Sequence, residues 1–356
     1  MKVPFVTVAA MLLAGCVTAT PAALSGPETI RGVNAIGITV SDIDDTLAFY
    51  QGAVPYELIE RRRVPAASLP AEVLAKRTGE IEIALVRTPT VFLQLTDIDP
   101  ERRAPPALRP VIGPGYTHIC FQTLSATPGY DKFRAQGLRM LSRGNGPVDL
   151  GGYGVTYAYG FDPDGIMIEM EQLSPKVVAA GGEFSQRRAR FPAWISHIAN
   201  VPGDKARMVK FYTKLLGYGP RRELVPTRRS TFDQVIDLDN IEVSASWFDT
   251  GNIELEFWHY HEPTTPTRVT RRMIDEIGYS GPIFEVSDLA GTGLRLEREG
   301  VRFVTRAFEL GGWKMRYARD PEGNLLAFAE RTSAPAERAI ERMRDIATYR
   351  GIGKPG

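Results

Sequence analysis

VNAIGITVSDIDDTLAFYQGAVPYEL, residues 33–58, returns much later in the chain as ISHIANVPGDKARMVKFYTKLLGYG, residues 195–219. Each stretch opens with an apolar run of strand composition, breaks at a polar turn, and continues into a helical segment that contains Phe-Tyr. Phe49 and Tyr50 align with Phe211 and Tyr212 at an offset of 162 (211 minus 49). The same offset carries VFLQL at 91–95 onto IELEF at 253–257. Self-similarity at a fixed period marks a structural unit used more than once.

Working outward, a second pair of segments behaves in the same way. GYTHICFQT at 115–123 corresponds to GYSGPIFEV at 278–286, Leu150-Gly151-Gly152-Tyr153 to Leu310-Gly311-Gly312-Trp313, and FDPDGIMIEM at 161–170 to RDPEGNLLAF at 319–328. DPDG and DPEG read as turns between strands, because Pro presets φ and Gly accepts positive φ. Each unit then reads as a strand, a helix and a three-strand meander, a βαβββ module of the α+β class. Four modules are expected at 33–96, 115–171, 195–258 and 279–330. They divide the chain into a first domain at 30–173 and a second at 192–332. Residues 174–191, with Gly181, Gly182 and a basic stretch, read as a linker. The insertion PAASLPAEVLAKRTG at 65–79 reads as a short helix over a pocket. Residues 333–356 form a helical tail, with Ile340, Met343 and Ile346 along one face.

Lys plus Arg (43) nearly cancels Asp plus Glu (42), which removes the electrostatic case for nucleic acid or an anionic membrane surface as partner. Hydrophobic residues at 43% and charged residues at 24% belong to a chain that folds around ordinary cores, so a small molecule is the expected partner. No obligate protein partner is evident. At the N-terminus, Met1 and Lys2 precede an apolar run over 3–14 that ends in Leu13-Ala14-Gly15-Cys16. A run of about 12 residues is too short to span a bilayer core of about 30 Å. The pattern resembles a bacterial lipoprotein signal, 1–16, followed by a linker at 17–29. The resemblance implies lipidation of Cys16, a lipid anchor and export to the periplasmic face of a membrane. Val17 after Cys16 points to the outer membrane. Cys120, between Ile119 and Phe121, reads as strand core.

The strand, helix, Phe-Tyr and DPDG pattern over residues 30–332 resembles the vicinal-oxygen-chelate superfamily, which includes glyoxalase I, extradiol dioxygenases and bleomycin-resistance proteins. The resemblance implies that pairs of modules curl into cup-like barrels, each with a metal ligand on the first and last strand of a module. Carried over, those positions are Ala35 and Gln94, His118 and Glu169, His197 and Glu256, and Gly281 and Ala327. Pairing module two with three and one with four would put all four good ligands, His118, Glu169, His197 and Glu256, in one cup. The implied cofactor is one divalent ion: Ni, Co, Zn, Mn or Fe.

The implied activity is that of a glyoxalase-like isomerase or lyase, with Glu169 as the catalytic base moving a proton on a small oxygenated substrate. Two alternatives stay open. One is an Fe(II) ring-cleaving dioxygenase, with Tyr153, Phe161 and Trp258 lining an aromatic pocket. The other is a non-catalytic binding protein of the bleomycin-resistance type. Two departures speak against a glutathione substrate: Val201 stands where glyoxalase I has an Arg, and Tyr260 where it has an Asn. Glu254 competes with Glu256 on the same strand face, and His259 and His261 are expected in a loop or at the rim.

Overall fold

The structure is a computed structural model that describes residues 30–101, 110–144, 146–266 and 271–344. Cys16 and the whole expected signal lie outside the described residues, as does Ile346. Module one supplies β1 (Ile30–Val40), α1 (Ile43–Ala53), β2 (Glu57–Pro65), β3 (Glu80–Arg87) and β4 (Phe92–Asp97). Module two supplies β5 (Gly115–Leu124), α2 (Gly129–Ala135), β6 (Arg139–Met140), β7 (Val148–Asp149), β8 (Val155–Phe161) and β9 (Met167–Leu173). The expected linker then folds into α3 (Pro175–Ala180) and α4 (Gly182–Arg188). Module three holds β10 (Trp194–Val201), α5 (Lys205–Leu216), β11 (Arg222–Arg228), α6 (Ser230–Ile236), β12 (Glu242–Asp249) and β13 (Glu254–Glu262). Module four holds β14 (Gly278–Val286), α7 (Leu289–Arg298), β15 (Arg302–Phe303), β16 (Phe308–Leu310), β17 (Trp313–Arg319) and β18 (Leu325–Arg331), and α8 (Glu341–Arg344) closes the described chain.

Local chemistry explains where the module helices start. An aspartate precedes each of α1, α5 and α7, and its carboxylate accepts a backbone N–H of the first turn: Asp42 from Asp45, Asp204 from Arg207, Asp288 from Ala290 and Gly291. Gly217 ends α5 in the left-handed conformation, with φ 84°. Within every module the first and last strands pair in parallel, β1 with β4, β5 with β9, β10 with β13 and β14 with β18.

Modules join through their first strands, β1 antiparallel to β14 and β5 antiparallel to β10. Two nine-stranded sheets result, one from modules one and four and the other from modules two and three. Each curls into a cup without closing into a barrel, since the pairing path runs from β15 to β2 in one and from β11 to β6 in the other. Each cup takes one module from each half of the chain. The ranges 30–173 and 192–332 are thus halves of the repeat, and neither is a cup alone.

One apolar layer lies between the cups, fed by the outer faces of both sheets and by the helices. It includes Ile36, Phe49, Phe121, Ile198, Tyr212 and Phe284, all essentially buried. The Phe-Tyr and DPxG signatures meet here. The Tyr50 hydroxyl donates to Asp162 at 3.3 Å, Asp164 accepts from Ser41 and Thr46 at the start of α1, and Glu322 accepts from the Gly203 and Asp204 backbone at the start of α5. Each turn therefore holds the helix start of its neighbouring module in the other cup. Asn252 adds a buried clasp, accepting from the Val33 N–H and donating to the carbonyls of Val33 and Thr90.

Candidate metal centre

The two cup interiors differ in chemistry. In the cup of modules one and four, the ligand-equivalent positions Ala35 and Ala327 belong to an apolar cluster with Ile83, Leu85, Ile283 and Met315. The insertion expected as a pocket-covering helix is a single 3-10 turn, Ala66–Ser68, and its Leu69, Val73 and Leu74 are buried in that cluster. It fills the cup from one end. Gln94 is the one polar ligand-equivalent side chain there.

The other cup gathers His118, Glu169, His197 and Glu256. They lie on β5, β9, β10 and β13, which are consecutive in the sheet order β13-β10-β5-β9. Register does the gathering. Ala199 lies opposite His118 and Cys120 opposite His197, so the two imidazoles project diagonally from the same face with ring centroids 5.7 Å apart. Parallel pairing brings Glu169 beside Cys120, and Glu256 beside Ala199. All four side chains are buried, at 2, 5, 3 and 5% exposure. One ligand atom from each lies within 4.8 Å of every other.

The contacts inside this set are unusual. His197 Nε2 is 2.9 Å from Glu169 Oε2 and 3.2 Å from Glu256 Oε2, and His118 Nε2 is 3.6 and 3.4 Å from the same atoms. Yet His118 Nε2, His197 Nε2 and Glu169 Oε2 have no properly directed hydrogen-bond partner. Lone pairs and ring nitrogens point toward a common centre rather than along each other's bonds. The Nδ1 atoms face outward, 3.0 Å from the Thr117 hydroxyl and 3.1 Å from the Ser196 hydroxyl, which fixes both rings with Nε2 inward. Leaving two buried carboxylates without a compensating cation costs several kcal/mol each, on the order of the penalty for any uncompensated buried ion. Two imidazoles and two carboxylates would give a divalent cation a formally neutral set, so the residues fit such an ion.

Titration in this cluster follows from the same geometry. Burial works against the charged form of both histidines, but the carboxylates of Glu169 and Glu256 outweigh it and raise them, His197 well above its usual range. Burial likewise opposes ionisation of Glu169 and Glu256, and the imidazoles of His118 and His197 overcome it and lower both.

Other sequence expectations resolve around this centre. Glu254 turns to Arg222 at 3.1 Å and leaves the inner position to Glu256. His259 and His261 lie on β13 and not in a loop. His259 contacts the Pro202 carbonyl, and His261 the Ser244 hydroxyl, so their rings serve the strand's packing. Phe161 and Trp258 join one apolar cluster and Tyr153 another, so the three do not form a single aromatic pocket. Val201 and Tyr260 are buried in the former, against α6. Cys120 is fully buried and free.

Further residues reach the cup: Gln122 and Glu171, which strand period two places on the faces of His118 and Glu169, and Tyr159, which sequence spacing did not single out. Tyr159 lies opposite Glu169, with its ring 5.0 Å from His118. Glu171 is hydrogen-bonded by Gln122, which accepts from Trp194 Nε1 at 2.8 Å, and burial together with Glu169 raises the Glu171 carboxyl to about 7. Helix α6 stops one end of the cup, where the Ser142 hydroxyl donates to the Val235 carbonyl. The alternation in VTYAYGF signals Tyr157 and Tyr159 on one face, and Phe232, Val235 and Ile236 at helical spacing signal α6.

A module-paired, cup-forming α+β chain with a His2Glu2 cluster defines the class, and sequence comparison supplies the family. Residues 32–170 and 194–328 match the Glyoxalase/Bleomycin resistance protein/Dioxygenase superfamily, and the chain belongs to it. It is 25% identical over 178 residues to a lactoylglutathione lyase of Oryza sativa subsp. japonica, and spans about half the length of that curated relative, 50% of each chain. Glyoxalase I of Zea mays superposes with a TM-score of 0.58 at 16% identity, covering 89% of this chain and 97% of the other. A Bacillus subtilis structure assigned provisionally as a dioxygenase gives 0.53 at 10% identity, covering 89 and 91%. At these identities the superpositions establish the shared fold.

Proposed function

We propose that this chain is a divalent-metal-dependent, glyoxalase-like isomerase or lyase that moves a proton on a small oxygenated substrate. The observation that carries the reading is the convergence of two inward-held imidazoles and two buried carboxylates in one cup, beside a second cup that lacks such a set among the described residues. Among the described residues, His118, Glu169, His197 and Glu256 would hold the ion. When bound, it would act as a Lewis acid toward paired substrate oxygens. Glu169 is the proton carrier: its Oε2 lacks a directed hydrogen bond, and it stands next to Tyr159 and Glu171, which wall the cup on that side. The apolar end formed by Phe232, Val201 and Tyr260 excludes water and favours a substrate without the charged tail of a glutathione adduct.

Ring-cleaving oxygen chemistry on Fe(II) is the second reading, since two histidines and one glutamate make a facial triad. The equal inward placement of Glu256 favours the first. The two separate in one experiment. The chain from Val17 onward, loaded with each of the five metals, is incubated in D2O with small 2-hydroxyaldehydes and 2-oxoaldehydes and followed by NMR, while oxygen uptake is recorded with catechols and hydroquinones. Deuterium entry at the carbon beside the carbonyl supports proton transfer. Oxygen uptake without it replaces this reading with the dioxygenase.

We also propose that the chain is an exported lipoprotein, anchored through Cys16 at the periplasmic face of the outer membrane. Among the described residues no helix is long and apolar enough to cross a membrane. Loss of membrane association on Cys16→Ala, in cells expressing the full chain, tests the anchor.

A further inference from the structure

The cup of modules one and four retains a cavity at the position that the metal cluster occupies in its counterpart. Ala35 and Gln94, the equivalents of His197 and Glu256, line it. Its walls are apolar, from Ile83, Leu85, Ile283, Met315 and Trp313. Its interior room is small, about 30 Å³, enough for roughly two or three heavy atoms beyond the mouth.

The mouth carries a different chemistry. Arg62 and Arg338 both reach it, with Glu60 as the carboxylate between them: Arg62 Nε lies 3.4 Å from one Glu60 oxygen and Arg338 Nη2 2.5 Å from the other. Two guanidinium groups against one carboxylate leave a net positive charge. Arg338 Nη1 is spent on the Gly311 carbonyl at 3.0 Å. Arg62 Nε is buried without a properly directed acceptor. The Arg62 guanidinium lies in space that any side chain at Gly311 would take, and Gly311 has φ 60°, so the loop itself makes room for it. The segment after β18 crosses this end of the cup. Glu285 accepts from Asn34 and from the Ile340 N–H, and Asn34 also donates to the Arg338 carbonyl, which fixes the backbone that carries Arg338.

We propose that this second cup is a metal-free binding site for a short organic carboxylate. The carboxylate meets Arg62 and Arg338 at the mouth, a short aliphatic tail enters the apolar interior, and Gln94 supplies a polar contact at the ligand-equivalent position. A planar anion recognised by guanidinium groups is the chemistry this rim offers. The inference rests on different residues from the metal reading and stands or falls apart from it.

Titration calorimetry on the full chain with propionate and butyrate, beside propanol and butanol as uncharged counterparts, tests it. Saturable one-to-one binding of a carboxylate is expected, at least tenfold weaker for the matching alcohol and for Arg62→Met. It is expected to be lost in Ala35→Leu, which fills the interior, and kept in the His118→Ala, His197→Ala double variant. Circular dichroism verifies that each variant is folded, and Arg62→Lys serves as a milder second probe of the rim. Absence of saturable carboxylate binding to the native chain overturns the proposal. So does binding that survives Ala35→Leu, or binding that disappears with the metal-cluster histidines.

Discussion

Glu169 is given two duties, holding an ion and moving a proton, and its surroundings explain how one carboxylate can serve both. It is buried, faces both imidazoles, and lies beside Tyr159 and Cys120 on neighbouring strands. Glu169→Gln keeps the shape and removes the base. Turnover is expected to drop by roughly 10²–10⁴-fold with the far-UV spectrum unchanged, and full retained turnover in steady-state kinetics contradicts the assignment. Acid should compete with the metal. Both histidines are raised above their usual range without the ion, and each must lose its proton to become a ligand. Metal affinity is therefore expected to fall steadily as pH drops from 8 to 6, with proton release on binding visible by calorimetry in buffers of different ionisation enthalpy. Affinity independent of pH across that window would rule out histidine ligation. The four convergent positions were legible because the family resemblance implies a ligand on the first and last strand of each module, and the internal repeat locates those strands. Tyr159 was not, because its place depends on how strands curl, which residue spacing within one strand does not reveal.

Helix α5 shows how much of an element local chemistry sets. Asp204 caps it from within module three, and Glu322 holds the Gly203 and Asp204 N–H groups from module four. Asp204→Ala is expected to cost about 1 kcal/mol by urea titration, the ordinary worth of a helix cap. A cost near zero would mean that the Glu322 contacts alone fix the helix start. Sequence reading went astray where tertiary contacts compete with local propensity. The helical tail expected over 333–356 is, in the described residues, a 3-10 turn at Ala336–Arg338 and then α8, because Asn34 takes the Arg338 carbonyl and Glu285 takes the Ile340 N–H. Ile340 and Met343 are nonetheless buried as their spacing implied, Met343 within the apolar cluster of the cup of modules one and four. The stretch read as a linker after module two carries its own helix signal: Ser174 accepts the Val177 N–H with Pro175 in the first turn. Gly181, taken as a linker mark, has an ordinary φ of −76° and caps both short helices.

Across the whole molecule, the DPxG turns that made the repeat readable also bury acid groups. Burial raises Asp162 and Asp320 to about 7, although backbone N–H groups on each pull the other way. A carboxyl raised from about 3.8 to about 7 stabilises the fold fully below pH 4 and loses that contribution as pH rises through 7. His118 and His197 act in the same direction in the metal-free chain, since their raised values also favour the folded form at low pH. Chelator-treated protein is expected to lose unfolding free energy between pH 5 and 8, and Asp162→Asn to flatten that slope. A slope of opposite sign in urea titrations would show that these carboxyls ionise freely in the fold. The pairing of module two with three and one with four was the arrangement that made chemical sense of the ligand positions. The strand order realises it, and its physical basis lies in the antiparallel joins of β5 with β10 and of β1 with β14.

The most direct test is metal content. The chain from Val17 onward, purified without chelators, is measured by elemental analysis beside the His118→Ala, His197→Ala double variant and an Ala35→Leu, Gln94→Leu variant of the other cup. The account predicts about one divalent ion per chain, lost from the histidine variant and retained when the other cup is altered. Absence of metal from the native chain even after reconstitution, or retention in the histidine variant, would contradict it.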